Sequence, residues 1–191
     1  MSDWLLTCVV SGAALAAVWF PLYRGMRLCY EARAATRHLG AGELKQHVAK
    51  SPNAAANEPL AVVMVRTLMK SLQENQAGHP RDFIVDATRQ YVVNEYDTHY
   101  AQRISMYANL LPPIGFIGTT GGLLILFVSM HMADSSLELG ALAIALTSSI
   151  FALVGFSMLE GMKLRLYTRL LACVDEVISM QRRSEERRAA A

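Results

Sequence analysis

Five hydroxyl side chains lie where a chain ordinarily carries none. Thr119 and Thr120 sit inside YANLLPPIGFIGTTGGLLILF, Tyr107 to Phe127, which has no charged side chain, and Thr147, Ser148 and Ser149 sit inside AIALTSSIFALVGF. A hydroxyl both donates and accepts hydrogen bonds, so a group of them in apolar surroundings can replace part of the solvation of an ion or a carboxyl group. The plainer reading is that each bonds to the carbonyl one turn back and needs no partner. Depth adds to the first reading. Ser149 is about ten residues from one edge of its apolar run and Thr119 about twelve from the opposite edge of its own, which at ~1.5 Å per residue puts both near the middle. Two antiparallel helices would bring these hydroxyls to one level.

The surrounding residues are unusual for a helix made only to fill lipid. The Tyr107 to Phe127 stretch contains four glycines and two prolines. Gly115, Gly118, Thr119, Gly122, Leu126 and Ser129 recur at steps of three or four and so share one side of a helix. Missing side chains along such a stripe let a neighbouring helix approach closely. Gly115, Gly118 and Gly122 are therefore candidate packing positions. Pro112 and Pro113 lack amide hydrogens, free carbonyls near Ala108 and Asn109, and are expected to kink the helix.

Three uncharged runs supply the elements that position these groups: Trp4 to Tyr23, Ile104 to Ala133 and Leu139 to Leu159. Each reaches the ~20 residues a helix needs to cross a ~30 Å hydrocarbon core. Hydrophobic residues make up 53% of the 191, and the mean hydropathy is +0.26, so a soluble fold would have too little chain to cover three such runs. Of the 18 Lys and Arg, eleven lie between Arg24 and Arg103 and seven between Lys163 and Arg188. None lies in the first 23 residues or in HMADSSLE, between the second and third runs. The positive-inside rule then predicts N-out, C-in topology. The first run is read as an uncleaved anchor, because Asp3 precedes it and its basic residues follow it.

The expected fold is all-α, an integral membrane protein with three transmembrane helices, two of them extended into long cytoplasmic helices. Its parts are a first span at 1–23, a cytoplasmic helical region at 24–103, a second span at 104–133, an extracytoplasmic turn at 134–138, a third span at 139–160, and a cytoplasmic C-terminal helix and tail at 161–191. Within the cytoplasmic region the first helix is expected to run from Arg24 towards Lys50, weakened at Gly40 and Gly42. SPNAAANEP is read as a loop and LAVVMVRTLMKSLQ as a helix, and a further helix starts at Pro80 with Asp82 in its first turn. Phe83, Ile84, Ala87, Tyr91, Val92, Tyr96, Tyr100, Ile104 and Tyr107 form its apolar stripe, which is expected to enter the membrane unbroken. Beyond the third span the stripe is Leu164, Tyr167, Leu170, Leu171, Val174, Val177 and Ile178.

Other chemistries find little to stand on. Cys8, Cys29 and Cys173 have no CxxC spacing, and the last two fall on the reducing side, so no disulfide framework is expected. His38, His47, His79, His99 and His131 lack metal-ligand spacing, so no metal or other cofactor is expected. A net charge of +2 gives no reason to invoke nucleic acid. The tail MQRRSEERRAAA mixes both signs of charge and, if it meets the membrane, does so at anionic headgroups. An intramembrane serine protease would need a histidine at the depth of Ser148 and Ser149, and the spans have none there, so the chain is not read as an enzyme.

The second run also resembles a known family. LPPIGFIGTTGGLLILF is similar to the second-span signature of the MotA/TolQ/ExbB proton-channel family, with Pro112, Gly115, Gly118, Thr119, Gly122 and Phe127 at the matching places. AIALTSSIFALVGF resembles the third-span pattern at Ala145 and Leu146, with Ser149 replacing a Thr and Ala152-Leu153 replacing Gly-Leu. The three-span layout is that of the ExbB and TolQ branch. The resemblance implies a homopentamer in the bacterial inner membrane, with the second and third spans lining a pore around two copies of an ExbD/TolR-like single-span partner that carries the titrating Asp. Thr119, Thr120, Thr147, Ser148 and Ser149 would then lie along the ion pathway. A carboxylate at that depth costs ~2.5–3.5 kcal/mol unless polar groups meet it, which is what a hydroxyl ring would do. Two departures are evident: the third run has no acidic residue, the nearest being Glu138 and Glu160 at its ends, and GFSMLEGM stands where Ile-Pro-Ala is usual. A non-conducting helical scaffold is the alternative function.

Overall fold

The computed structural model describes residues 2–37, 39–40, 42–43, 46, 59–74, 78, 80–132 and 135–189. The regular structure among them is entirely helical. Helix α1 is Ser2–Ala35, α2 is Leu60–Gln73, α3 is Arg81–Tyr96, α4 is Gln102–Met132 and α5 is Ser135–Ala189, with a π-helical turn at Asp97–Ala101 joining α3 to α4. The chain forms two compact units: Met1–Leu28 with Arg103–Lys163, and Cys29–Gln102 with Leu164–Ala191.

Two helical stretches, Arg81–Met130 and Gly140–Met180, are long and apolar enough to cross a membrane. They cover most of the expected second and third spans, 104–133 and 139–160. The expected first span falls within α1, which is helical throughout, although the side chains of residues 2–11, Cys8 among them, lie outside those described.

In the first unit the packing has a clear period. The buried positions of α4 are Ile104, Ala108, Leu111, Gly115, Gly122 and Ser129, and Gly118, half-buried, completes the alternation of four and three. Helix α5 answers with Ala141, Ala145, Ser148, Ala152, Gly155 and Leu159, all buried at the same alternation. This 3.5-residue repeat is the pattern by which two α-helices keep one seam in contact over many turns. Helix α1 joins at one end, where a Cβ on Gly25 would come within 2.7 Å of Leu159 and one on Gly155 within 3.3 Å of Leu22.

In the second unit α2 is amphipathic and buries Leu60, Ala61, Val62, Met64, Val65 and Leu68. It starts where Pro59 accepts from the amide of Val62 at 2.9 Å, and α3 starts in the same way after Pro80, which accepts from Phe83 at 3.1 Å. Asp82 lies in the first turn of α3, as expected. Gly78, in the connection between α2 and α3, has φ of +65°, a conformation that glycine adopts without a Cβ penalty.

Four expectations are corrected. Helix α1 stops at Ala35, well before Gly40: Thr36 gives its amide and its hydroxyl to the Ala32 carbonyl at 2.9 Å, and the next amide, Arg37, turns to the Ala34 carbonyl at 3.3 Å, a tighter i→i−3 bond that ends the α-helical ladder. Most of 44–58, including the expected SPNAAANEP loop, lies outside the described residues. The connection placed at 134–138 is shorter, since α5 begins at Ser135 with Glu138 in its first turn, where an acid suits the helix dipole. Helix α3 runs into α4 without a gap, as expected, the two joined by the π-helical turn; its buried face, however, is Ile84, Thr88, Val92 and Tyr96, with Phe83 and Tyr91 exposed. Along α5, Leu166, Leu170, Cys173, Val174 and Val177 are buried, whereas Leu164 and Tyr167 are exposed. Aromatic and apolar residues on the wrong side of a helix had entered a stripe drawn from hydrophobicity alone.

Candidate functional site

The hydroxyls meet on the seam of α4 and α5. Thr119 Oγ1 lies 3.0 Å from the Gly115 carbonyl and 3.4 Å from the Ala145 carbonyl, and it hydrogen-bonds with Ser149 Oγ. Ser149 Oγ is in turn 3.3 Å from the Gly115 carbonyl. Two hydroxyl protons are thus offered two carbonyls and each other. Several arrangements of the same donors are close in geometry, so the pair can switch which hydroxyl donates across the seam without moving heavy atoms. Both groups are half-buried.

The other hydroxyls have different settings. Ser148 is buried and donates to the Ala145 carbonyl at 3.1 Å, so it is a packing residue satisfied by its own helix. Thr120 is exposed and bonds the Phe116 and Ile117 carbonyls at 3.1 and 3.0 Å. Thr147 is exposed. Of the five, Thr119 and Ser149 are joined directly, and Ser148 touches the same Ala145 carbonyl. Thr120 and Thr147 point elsewhere.

The glycines explain how the helices come close enough. A Cβ on Gly115 would lie 2.6 Å from Ala152 Cβ, and one on Gly122 would lie 2.7 Å from Ala145 Cβ and 2.8 Å from the Ala141 carbonyl. One on Gly118 would strike the Ser148 side chain. These glycines therefore face helix α5 of their own chain. Gly121, one residue from the seam, has nothing within 4 Å of its Cβ position. Helix α4 continues through Pro112 and Pro113.

A second polar link joins the same helices. Lys163 Nζ donates to Ser105 Oγ at 2.8 Å and to Glu160 at 2.6 to 2.7 Å, with both charged side chains about three-quarters buried. Ser105 precedes Thr119 by fourteen residues and Lys163 follows Ser149 by fourteen. The two links are therefore about 21 Å apart along each helix. Sequence reasoning passed over this group and over Ala141, Ala145 and Ala152. The alternation of small residues from Ala141 to Gly155 was the signal for the latter. Nothing in the spacing of Ser105 and Lys163 announces a bond across 58 positions.

Among the described residues, no three His, Cys, Asp or Glu side chains converge to hold a metal ion. Cys29 and Cys173 are buried free thiols. Burial pushes the Cys29 thiol up to about 11, and Cys173 is raised first by burial and then by Glu176, with Arg169 acting in the opposite sense. Neither has the electropositive exposure of a reactive cysteine.

The fold and this seam define a helical protein with two membrane-length helices joined by small residues and a shared hydroxyl pair. No model of a known protein family matches the chain, and no characterised protein matches it.

Proposed function

We propose that the chain is the channel-forming subunit of an ion-driven motor complex of the bacterial inner membrane, with the proton as the expected ion. Three spans, N-out and C-in, follow from the three uncharged runs and the placement of Lys and Arg. Five copies enclose an ExbD/TolR-like partner, expected in two copies, whose carboxyl group takes up and releases the ion. Each elementary charge crossing 100 mV makes ~2.3 kcal/mol available for movement of the partner. That movement would serve transport or envelope function.

The observation that carries this reading is the Thr119–Ser149 pair, two hydroxyls brought together between membrane-length helices and able to exchange donors. The resemblance of residues 107–159 to the second and third spans of the MotA/TolQ/ExbB family supports it. The second reading, a non-conducting scaffold, is favoured by one fact: each hydroxyl of the pair already has a carbonyl acceptor within the chain.

Flux into liposomes carrying the purified complex with its partner separates the two. Thr119→Val keeps the side-chain shape and removes the hydroxyl. The motor reading expects ion flux to be lost while the complex assembles, and normal flux in this variant refutes it. The scaffold reading expects Thr119→Val to be mild and Gly118→Leu to prevent assembly.

A further inference from the structure

Helix α1 buries one side and shows the other. Val18 and Gly25 are on the buried side, where a Cβ on Gly25 would strike Leu159 of α5 in the same unit. Trp19, Phe20 and Tyr23 are on the far side and are 68%, 61% and 59% exposed. They fall within little more than one helical turn, and Arg24, the first basic residue of the chain, follows them directly. Its guanidinium carbon stands 5.5 Å from the centre of the Phe20 ring. Three rings are too apolar to face water. The indole N–H and phenol O–H are too polar to lie in hydrocarbon, so such residues gather where headgroups and acyl chains meet. An arginine beside them lays its stem and one face on apolar surface while its charge reaches the headgroups.

The packing of the unit carries the height of this group to the other helices. A Cβ on Gly155 would lie 3.2 Å from Leu111 and 3.3 Å from Leu22, so Leu22, Leu111 and Gly155 stand at one level, beside Tyr23. Counting the ~20 residues of a membrane crossing from that level reaches His131 along α4 and Ser135 along α5. Helix α4 ends at Met132 and α5 starts at Ser135, so both helices turn where the count ends. On the other side of the level, the Glu160 and Lys163 ion pair falls roughly 8–12 Å beyond it, where charges are solvated. The aromatic group, the connection and the ion pair thus agree on one slab.

We propose that Trp19, Phe20, Tyr23 and Arg24 form a docking surface for an anionic phospholipid, which sets the edge of the hydrocarbon at Leu22, Leu111 and Gly155. The lipid phosphate pairs with the Arg24 guanidinium. Trp19 and Tyr23 present their polar atoms to the ester oxygens, and their rings cover the first acyl carbons. The occupant is lipid and not a second copy because a cation and two ring-borne donors match a phosphate over esters. One consequence reaches the hydroxyl pair. Thr119 is then about 12 Å and Ser149 about 9 Å from this edge, nearer to it than to the opposite one. The inference rests on the membrane reading of the chain and not on ion flow.

The chain has two tryptophans, so Trp4→Phe leaves Trp19 as the sole fluorophore. The full chain with this change is reconstituted into phosphatidylcholine vesicles whose acyl chains carry bromine either near the headgroup or near the bilayer centre. Quenching of Trp19 should be about twofold or more stronger from the shallow position, since the ring would sit ~15 Å from the centre. In a second arm a minor share of the lipid is brominated, either phosphatidylglycerol or phosphatidylcholine. Phosphatidylglycerol should be enriched at Trp19 by up to about fivefold, the factor one arginine supplies near a surface. Arg24→Gln should abolish that preference and leave the depth quenching unchanged. Absence of quenching by any brominated lipid overturns the proposal, because a second copy then covers the face. Quenching strongest from the bilayer centre overturns it, as does equal quenching by the two headgroups or a preference that survives Arg24→Gln. A chain that does not float with the vesicles overturns it together with the proposed function, whereas ion flux that persists with Trp19 unquenched sinks this inference alone.

Discussion

At Gly115, Gly118 and Gly122 the absent side chain is occupied space: Ala152, Ser148 and Ala145 stand where a Cβ would go. Gly121 faces open space on the same helix. The four glycines therefore separate packing from propensity. Gly121→Ala should leave stability unchanged or raise it by up to about 1 kcal/mol, the helix preference of alanine over glycine. Gly122→Val must displace the Ala145 and Ala141 backbone and should cost about 1–3 kcal/mol as overpacking does, measured by reversible unfolding in mixed micelles. At Ser149 the argument is about a shared proton. Ser149→Ala removes one of two donors but leaves Thr119 the Gly115 and Ala145 carbonyls. Its cost to stability should be close to the ~0.6 kcal/mol average of polar contacts between membrane helices, while the motor reading expects flux to fall much further than stability. Equal small effects on both would assign the pair to packing.

At the scale of the elements, the seam of α4 and α5 and the buried face of α3 were legible to different degrees. The four-three alternation from Gly115 to Ser129 is visible in the letters because glycine and serine stand out in an apolar run. The register of α3 was not, because Thr88 is buried while Phe83 and Tyr91 are exposed. The π-turn has no compositional mark, and only the step of five between Tyr96 and Ala101 reveals it. The elements of the second unit also carry a pH dependence. Burial holds the Cys29 thiol neutral up to about 11, against 9.0 for an ordinary thiol. A group whose pKa is raised by folding stabilises the fold below its unfolded value and loses that contribution as pH rises through the folded one. Stability should therefore decline between pH 9 and about 11, and Cys29→Ala should make the decline shallower in melting curves taken across that window. Tyr96, also raised by burial, would keep the residual decline and extend it to higher pH.

For the molecule as a whole, what is left uncovered says as much as what is packed. Only 17% and 28% of the most apolar windows of the two membrane-length stretches are buried within the chain. Phe116 and Ile117 are 70% and 67% exposed, and Leu124, Phe127, Ile150, Phe151 and Val154 are open in the same way. That much apolar surface cannot face water. On the proposed function, lipid would cover part of it and the ring of copies the rest, each chain using one side of the α4 and α5 pair for its neighbours. The inward side of the seam is filled by small residues of the same chain, so in the proposed ring contacts between copies would use the larger outward ones. This places the assembly prediction on particular residues. Native mass spectrometry of the chain released from detergent should give five copies of the 21.0 kDa unit. Replacing Phe116 or Phe127 by alanine should loosen the ring only where the ring in the chain's vicinity is copy rather than lipid, whereas Gly121→Ala should leave it intact. A monomer under all mild detergents would remove the pore from the proposal while leaving the seam and its hydroxyl pair as a packing device.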